Sequence, residues 1–505
     1  MSLDANLSVA RRSASSFVPI VPRPQFERGS WGNYGGTVKN VDVDIVRPQA
    51  TEDVSQIVAA ATKQGRRIRP VATGHSWSGS TESNDAIVDV TGLDKILHIE
   101  DGLRADGTAH VTVQAGARLK DISAALQSKG LTFQNLGSMG FQTIGGAVST
   151  NTHGSGRNHG GLATQVARLK MVTADGVIHT LSPTENPELF RTALSGLGLA
   201  GIITETTYRA VPAFNIGVSR GHSTLSEMVQ DEGGTSKLQQ MLHNNEWFSV
   251  LWVPYTDKVF YSKGNRTEAP AEKPGPKWME AFTRNTLVAG LASVAAATRR
   301  IAPRLIPALT SMAASIGTVF MGRGDKVTVK KNVHAFTGQI EPKNWAWEDE
   351  AEFYIPSQLI DAALLKLKGR FEELRREGIV TAAPFIGTRF QKADDLPMSP
   401  AYRTEDVDSF ATIAVFDTPD SKDQILKHVA DALTEVVGNR PELLRMHIGK
   451  ASPDSPEQTH KRFTKLDTFV QARDDADPKG IFENSWAKRL LDPVRKRMAS
   501  TERAA

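Results

Sequence analysis

The chain has 505 residues, 40% hydrophobic and 23% charged, and its 60 Lys and Arg against 56 Asp and Glu leave a net charge of only +4. That length asks for two domains, and so even a balance of charge argues against a dedicated nucleic-acid binder. No cysteine is present, which excludes disulfides, thiolate metal sites, iron–sulfur clusters and cysteine nucleophiles, and fits a reducing, cytoplasmic setting.

Residues 1–37 read as an N-terminal extension, and Met1 to Pro24 lacks the apolar block of a secretory leader. Val54, Ile57, Val58 and Ala61 recur at helical spacing and predict a helix over 53–63 that Gly65 can end. Strands are predicted at 68–72, 86–90 and 110–114, and a second amphipathic helix at 119–129 before Gly130. Runs at 167–173 and 177–181 flank Ala174-Asp175-Gly176, a hairpin signal. A helix at 187–194 and a strand at 202–209 close an α+β domain spanning 38–213.

Beyond Pro212 the texture changes. Strands are expected at 247–253, 258–262, 351–355, 384–390 and 410–416, a loop at 269–277, and helices at 359–377 and 422–437. This layout suits a second domain with an antiparallel sheet under helices. The apolar, Ala-rich stretch 286–321 is broken by Arg299, Arg300, Arg304, Pro303 and Pro307. Two packed helices are the reading for it, with a peripheral membrane contact as the alternative.

Gly196-Leu-Gly198-Leu-Ala-Gly201 spells a dinucleotide-binding fingerprint, but a helix precedes it and a strand follows, the reverse of the order that aims a helix N-terminus at a pyrophosphate. It reads as a helix-to-strand connection. Two other segments are better placed. Thr73-Gly74-His75-Ser76-Trp77 lies in a turn whose backbone N–H groups can cradle an anion. The run from Asn135 through Gly137, Ser138, Gly145, Gly146 and Thr150 to His153, Gly154 and Gly156 is stripped of side chains, as backbone that approaches a ligand must be. The interleaved Ile144, Val148 and Thr150 look anchored in a core. His153 and His159 lack a third ligand nearby, so no metal site is expected.

Taken together, Thr73–Trp77, Gly137-Ser138, Gly145–Gly156 and Gly198–Thr204 resemble the PCMH-type FAD-binding domain of the vanillyl-alcohol-oxidase superfamily. The chain is most similar to its sugar-lactone and alditol oxidase branch. Further motifs carry the likeness onward: Glu350-Ala-Glu352-Phe-Tyr354-Ile-Pro356, Arg389-Phe with Asp394-Asp395-Leu and Ser399-Pro400, His447-Ile-Gly449-Lys450, then Arg473, Asp477-Pro478, Phe482 and Asn484. The resemblance implies a two-domain α+β fold, with a substrate (cap) domain over 214–450 built on an antiparallel sheet flanked by helices. Residues 451–505 would complete the flavin site.

It also implies an FAD-dependent oxidoreductase that oxidises a CH–OH carbon of a sugar lactone, polyol or related alcohol. The flavin would be held covalently through His75, with oxygen or another acceptor taking the electrons. Thr73, Gly74, Ser76, Trp77, Gly137, Ser138, Gly145, Gly146, Thr150, His153, Gly154 and Asn484 would surround the cofactor, with Ile202 or Ile203 meeting its adenine through backbone. Arg389 would hold the substrate oxygen, and Lys450 would accept its proton or stabilise the reduced flavin. Thr412 and His447 are further candidates beside them. One position departs from the branch, whose members carry Glu-x-Arg: here Gly387 stands two residues before Arg389. The expectation is that Arg389 loses a carboxylate partner and that a bulkier, less hydroxylated alcohol gains room.

Overall fold

Glycine and proline punctuate the first third of the chain closely, and the strands between them are short. The computed structural model describes residues 25–231, 233–273, 289–321, 326–332, 349–381, 383, 385–417 and 422–504. Met1 to Pro24, residues 274–277 of the expected loop and residues 286–288 of the Ala-rich stretch lie outside the described residues.

Strands β1 (Glu27–Gly32), β2 (Lys39–Val46), β3 (Ile68–Val71) and β4 (Ala86–Asp89) form a first sheet of order β1-β2-β4-β3. β4 pairs in parallel with both β2 and β3, and parallel strands need a crossover. The helix Thr51–Gln64 carries the chain from β2 to β3, burying Val54, Ile57, Val58 and Ala61 and ending at Gly65, whose φ of 66° suits glycine, and residues 72–85 carry it on to β4.

Six antiparallel strands make the second sheet. They are β5 (Ile96–Ile99), β6 (Ala109–Gln114), β7 (Leu131–Thr132), β8 (Val166–Val172), β9 (Ile178–Leu181) and β10 (Ile202–Pro212), ordered β5-β6-β10-β8-β9 with β7 also on β10. The β8–β9 hairpin turns where the sequence places it, with Gly176 at φ 81°. β5, β7 and a short helix, Ile144–Ser149, inside the glycine-rich run go unpredicted. The helix's Ile144, Ala147 and Val148 are buried in the core of this sheet. Gly145 lets the helix lie against β6's end, since a Cβ there would sit 2.7 Å from Ala115 Cβ. The Gly196–Gly201 segment joins the helix Pro187–Ala193 to β10, a connection as expected, and Arg69 and Arg473 donate to its Leu197 and Leu199 carbonyls at 2.8 and 3.1 Å.

Strands β11 (Asn215–Thr224), β12 (Trp247–Trp252), β13 (Lys258–Thr267), β14 (Val327–Lys331), β15 (Asp349–Pro356), β16 (Ile386–Lys392), β17 (Ser409–Asp417) and β18 (Arg445–Met446) form the third sheet, antiparallel throughout, in the order β14-β11-β13-β12-β16-β17-β15-β18. The helices Ile360–Arg376 and Lys422–Val437 cover one face, where Leu367, Phe371, Val429 and Leu433 meet Phe353, Ile413 and Val415 in one core. The other face meets the first domain, which is why β15 is buried at every one of its eight positions. The result is the two-domain α+β architecture that the resemblance implies.

Later segments return to the first domain. The Ile68 N–H donates to the Ile481 carbonyl at 2.8 Å, and Arg69 Nη1 donates to the Phe482 carbonyl at 2.6 Å. Ile481 and Phe482 share a core with Val54 and Val58. The Ala-rich stretch forms two helices, Ala289–Ile301 and Ile306–Met321, joined through a 3-10 turn at Pro303–Leu305. Among the described residues no helix is long and apolar enough to cross a membrane.

Candidate functional site

β3 ends in the turn that carries Thr73, Gly74, His75 and Ser76, and these four residues form one wall of a cleft. Gly145, Gly146 and Thr150 on the short helix line it opposite, with Gly198, Ile202 and Ile203 at its end. The turn needs its glycine: Gly74 has φ 71°, and a Cβ there would lie 3.0 Å from Asn33 Cα. Five polar atoms of residues lining this cleft, Arg69 Nε, His75 Nδ1, Thr81 Oγ1, Gln142 Oε1 and Thr143 Oγ1, are buried without a hydrogen-bond partner. Each unpaired buried polar atom costs about 1–3 kcal/mol, so their gathering around one cleft marks the place of a polar ligand. Burial, reinforced by Lys450 and Arg118, pushes the His75 imidazole down to about 4. It is therefore neutral near pH 7, with its ring stacked on Tyr34 at a centroid distance of 4.6 Å. Bare backbone, unsatisfied polar atoms and a neutral imidazole at the rim together fit the FAD that the resemblance implies.

The third sheet presents its own polar face to this region. Antiparallel register sets Arg389 on β16 opposite Thr412 on β17, and Thr412 opposite Tyr354 on β15. One row along, Leu251, Gly387, Ala414 and Glu352 stand side by side. Residues directly opposite share a face, so one surface carries Arg389, Thr412, Tyr354 and Glu352. Thr412 Oγ1 and Tyr354 Oη are both buried and unpartnered.

Arg389 is not without a carboxylate, contrary to the expectation drawn from Gly387. Its Nη2 donates to Glu352 Oε1 at 3.2 Å. The partner comes from β15, two strands away, because the register brings Glu352 into the row of the missing side chain. The same oxygen accepts from His153 Nε2 at 3.1 Å, and His153 Nδ1 faces the Gly154 carbonyl at 2.9 Å. Burial opposes the charge on Glu352, but His153 and Arg389 outweigh it and hold the carboxyl well below the usual range.

The turn 447–450 ties the two walls together. Gly449 accepts the Trp77 N–H at 2.8 Å, two residues from His75, while the His447 N–H donates to the Glu352 carbonyl at 2.9 Å. Burial pushes His447 down to about 3, with Lys450, His153 and Arg389 adding to the effect and Glu352 opposing it. Its Nδ1 accepts the Gly449 N–H at 3.1 Å, which leaves the proton of the neutral ring on Nε2. Lys450 Nζ is ion-paired with Glu350 and lies 4.0 Å from the centroid of the Trp77 ring.

The other expected residues are distributed around these walls. Ser138 and Gly154 line a neighbouring cavity together with Arg389. Gly137 packs where a Cβ would lie 2.9 Å from Thr152 Cγ2. Trp77 lines a third hollow with Lys450. Asn484 Nδ2 donates to the carbonyls of Gly79 and Glu82, both at 2.9 Å, and so braces the loop that follows His75. His159 pairs with Glu246 at 3.1 Å and stacks on Trp247, away from His153's partners.

Glu352 and Tyr354 were not singled out as site residues from the sequence. A signal was present: Glu350, Glu352 and Tyr354 alternate on one face of a strand whose other face is apolar. Two carboxylates buried on one side of a strand require partners, and those partners are Lys450 for Glu350 and His153 and Arg389 for Glu352.

Residues 44–182 match the family of FAD binding domains, and residues 206–490 match the D-arabinono-1,4-lactone oxidase family. An L-gulono-1,4-lactone dehydrogenase of Mycobacterium tuberculosis is 27% identical, over 92% of this chain and 99% of its own length. The L-gulonolactone oxidase of Bos taurus is 26% identical, over 88% of this chain and 94% of its own. The D-arabinono-1,4-lactone oxidase of Eremothecium gossypii is 37% identical over a shorter stretch, 46% of this chain and 42% of its own. Among solved structures, a cholesterol oxidase of Brevibacterium sterolicum superposes with a TM-score of 0.79 at 17% identity, covering 97% of this chain and all of that one, a likeness of fold.

Proposed function

Since the chain belongs to the D-arabinono-1,4-lactone oxidase family of FAD-dependent oxidoreductases, we propose that it oxidises a CH–OH carbon of a sugar lactone, with FAD held covalently at His75 and oxygen reduced to hydrogen peroxide. The observation that carries this reading is the row Arg389–Thr412–Tyr354, brought by register against the side of the His75 loop. When bound, FAD supplies the two-electron acceptor for the carbon-bound hydrogen.

The chain's residues prepare that transfer. Thr73 to Ser76, Gly145, Gly146, Thr150, Ile202 and Ile203 form the cofactor's cradle, and the unpartnered atoms along it provide its hydrogen bonds. His75 Nδ1, unpartnered and on a neutral ring, can act as the attaching nucleophile. Arg389 holds the substrate oxygen and stabilises negative charge developing there. Thr412 Oγ1 and Tyr354 Oη orient neighbouring hydroxyls. Lys450, paired with Glu350 over Trp77, serves as a fixed cation beside the His75 loop. His447 keeps its proton at Nε2, as a donor.

Oxygen as acceptor is supported by the relatives named oxidases; a relative named a dehydrogenase keeps a non-oxygen acceptor as the alternative. Anaerobic mixing with a panel of aldonolactones should bleach the flavin, and admitting air should restore the colour with one peroxide per turnover. Bleaching without peroxide selects the alternative acceptor; no bleaching by any lactone or alcohol refutes the reading.

A second reading of the substrate has its own support. The row beside Arg389 contains Leu251, Gly387 and Ala414, and the adjoining cavity is lined by Leu136, Ile216, Val218 and Trp247. That wall favours an alcohol with an apolar substituent, which would show as a lower KM for hydrophobic alcohols than for lactones.

A peripheral membrane contact is supported by Val294, Ile301, Leu305, Met312 and Ile316, all more than half exposed on the two helices of 289–321 and the turn between them, with Arg300 and Arg304 exposed among them. Flotation with anionic vesicles should capture the protein, and Ile301→Glu with Leu305→Glu should release it. The absence of cysteine supports a cytoplasmic placement.

A further inference from the structure

β16 offers Arg389 no acidic neighbour on its own face: the residue two positions before it is Gly387, and the residue opposite is Thr412. The guanidinium nevertheless has a carboxylate, Glu352 Oε1 at 3.2 Å, delivered from β15 across β17. The Glu352 side chain is only 2% exposed, whereas that of Arg389 is 29% exposed and lines the cavity with Ser138 and Gly154. One oxygen of Glu352 thus joins a partly exposed cation on the cavity wall to His153, which is anchored on the glycine-rich segment through the Gly154 carbonyl. A flexible arginine held by a buried, charge-assisted bond is preorganised, and preorganisation is what makes a cation effective toward charge that appears only in the transition state.

We propose that Glu352 is the positioning residue for Arg389, supplying from β15 the carboxylate that Gly387 leaves out of β16 and fixing the guanidinium to the cofactor-side segment through His153. The proposal rests on the reading of Arg389 given above. It carries a geometric corollary. Gly387 lies on the same strand face as Arg389, and a Cβ there would meet only Leu251 Cδ2 at 3.6 Å and Ala414 Cβ at 3.8 Å, ordinary contacts. A carboxylate can therefore be moved to position 387 without displacing backbone.

The test uses the FAD-loaded enzyme and two readouts, the limiting rate of anaerobic flavin reduction and the thermal midpoint followed by flavin fluorescence. Glu352→Gln should slow reduction about tenfold, the difference between a charged and a neutral hydrogen bond. In an Arg389→Ala background the same change should slow it less than about twofold, because the residue it acts through is gone. Adding Gly387→Glu to Glu352→Gln should recover most of the lost rate. The midpoints should show the same coupling: a smaller loss from Glu352→Gln when Arg389 is absent. Losses that multiply in the double variant, an unchanged rate in Glu352→Gln, or no recovery with Gly387→Glu each overturns the proposal. Should no lactone or alcohol bleach the wild-type flavin, the functional reading fails separately, and the midpoints still decide: additive losses overturn the role of Glu352, coupled losses support it.

Discussion

The two walls of the site are built on opposite principles. The cleft beside His75 is made by subtraction, with glycine and small residues exposing backbone over two short runs of sequence. The face of the third sheet is made by assembly, with Glu352, Arg389, Thr412 and His447 gathered from strands and a turn far apart in the chain. Subtraction leaves a mark in local composition, because propensity for helix or strand does not explain such a density of Gly and Ser. Assembly leaves none, because register decides which residues become neighbours.

The comparison breaks most sharply at Arg389. Arg389→Ala should reduce kcat/KM for flavin reduction by about 10²–10³, the usual effect of removing one preorganised group from a developing charge, measured by anaerobic stopped flow. A loss smaller than about tenfold would place the chemistry away from the assembled wall.

His75→Ala should have a smaller effect on rate, about tenfold, but a qualitative one on the cofactor. Denaturing precipitation should leave the yellow colour in the pellet for the wild type and in the supernatant for the variant. Colour in the supernatant from both would refute covalent attachment while leaving the cleft intact.

The smallest effect concerns stability against pH. The folded His447 lies near 3, below its unfolded value of about 6.5. A depressed histidine stabilises the fold above the unfolded value, and that contribution is lost as pH falls from 6.5 towards 3. Asp394, pushed up to about 6 chiefly by burial, works in the opposite direction between 6 and about 4, and offsets part of the loss. Denaturation midpoints measured from pH 7 to pH 4 should fall, and His447→Gln should flatten that limb. An unchanged slope in the variant would mean that another group controls the acid transition.

Legibility followed the same division. The helix ended by Gly65, the Ala174–Gly176 hairpin and the set of turns around Gly74 were readable because each is specified by residues within a few positions of one another. The helix Ile144–Ser149 escaped because its glycines disguise it, and its stability comes from burying Ile144 and Val148 rather than from propensity. Arg389 and Lys450 are nominated by the motifs that surround them. The carboxylate serving Arg389 was not, since nothing near position 389 announces that residue 352 will lie beside it. Gly387 was read as a vacancy when it is a substitution across the sheet.

The brace between the first sheet and residues 481–484 sets a timetable. Arg69 and the carbonyl it grips are separated by 413 positions, and Asn484 reaches back to the Gly79 and Glu82 carbonyls. At ribosomal speeds of about 5–20 residues per second, roughly 20–80 s pass between the synthesis of the two. During that interval the histidine-bearing loop emerges without the segment that shapes it. The loop that follows His75 is therefore braced only once nearly the whole chain has been made.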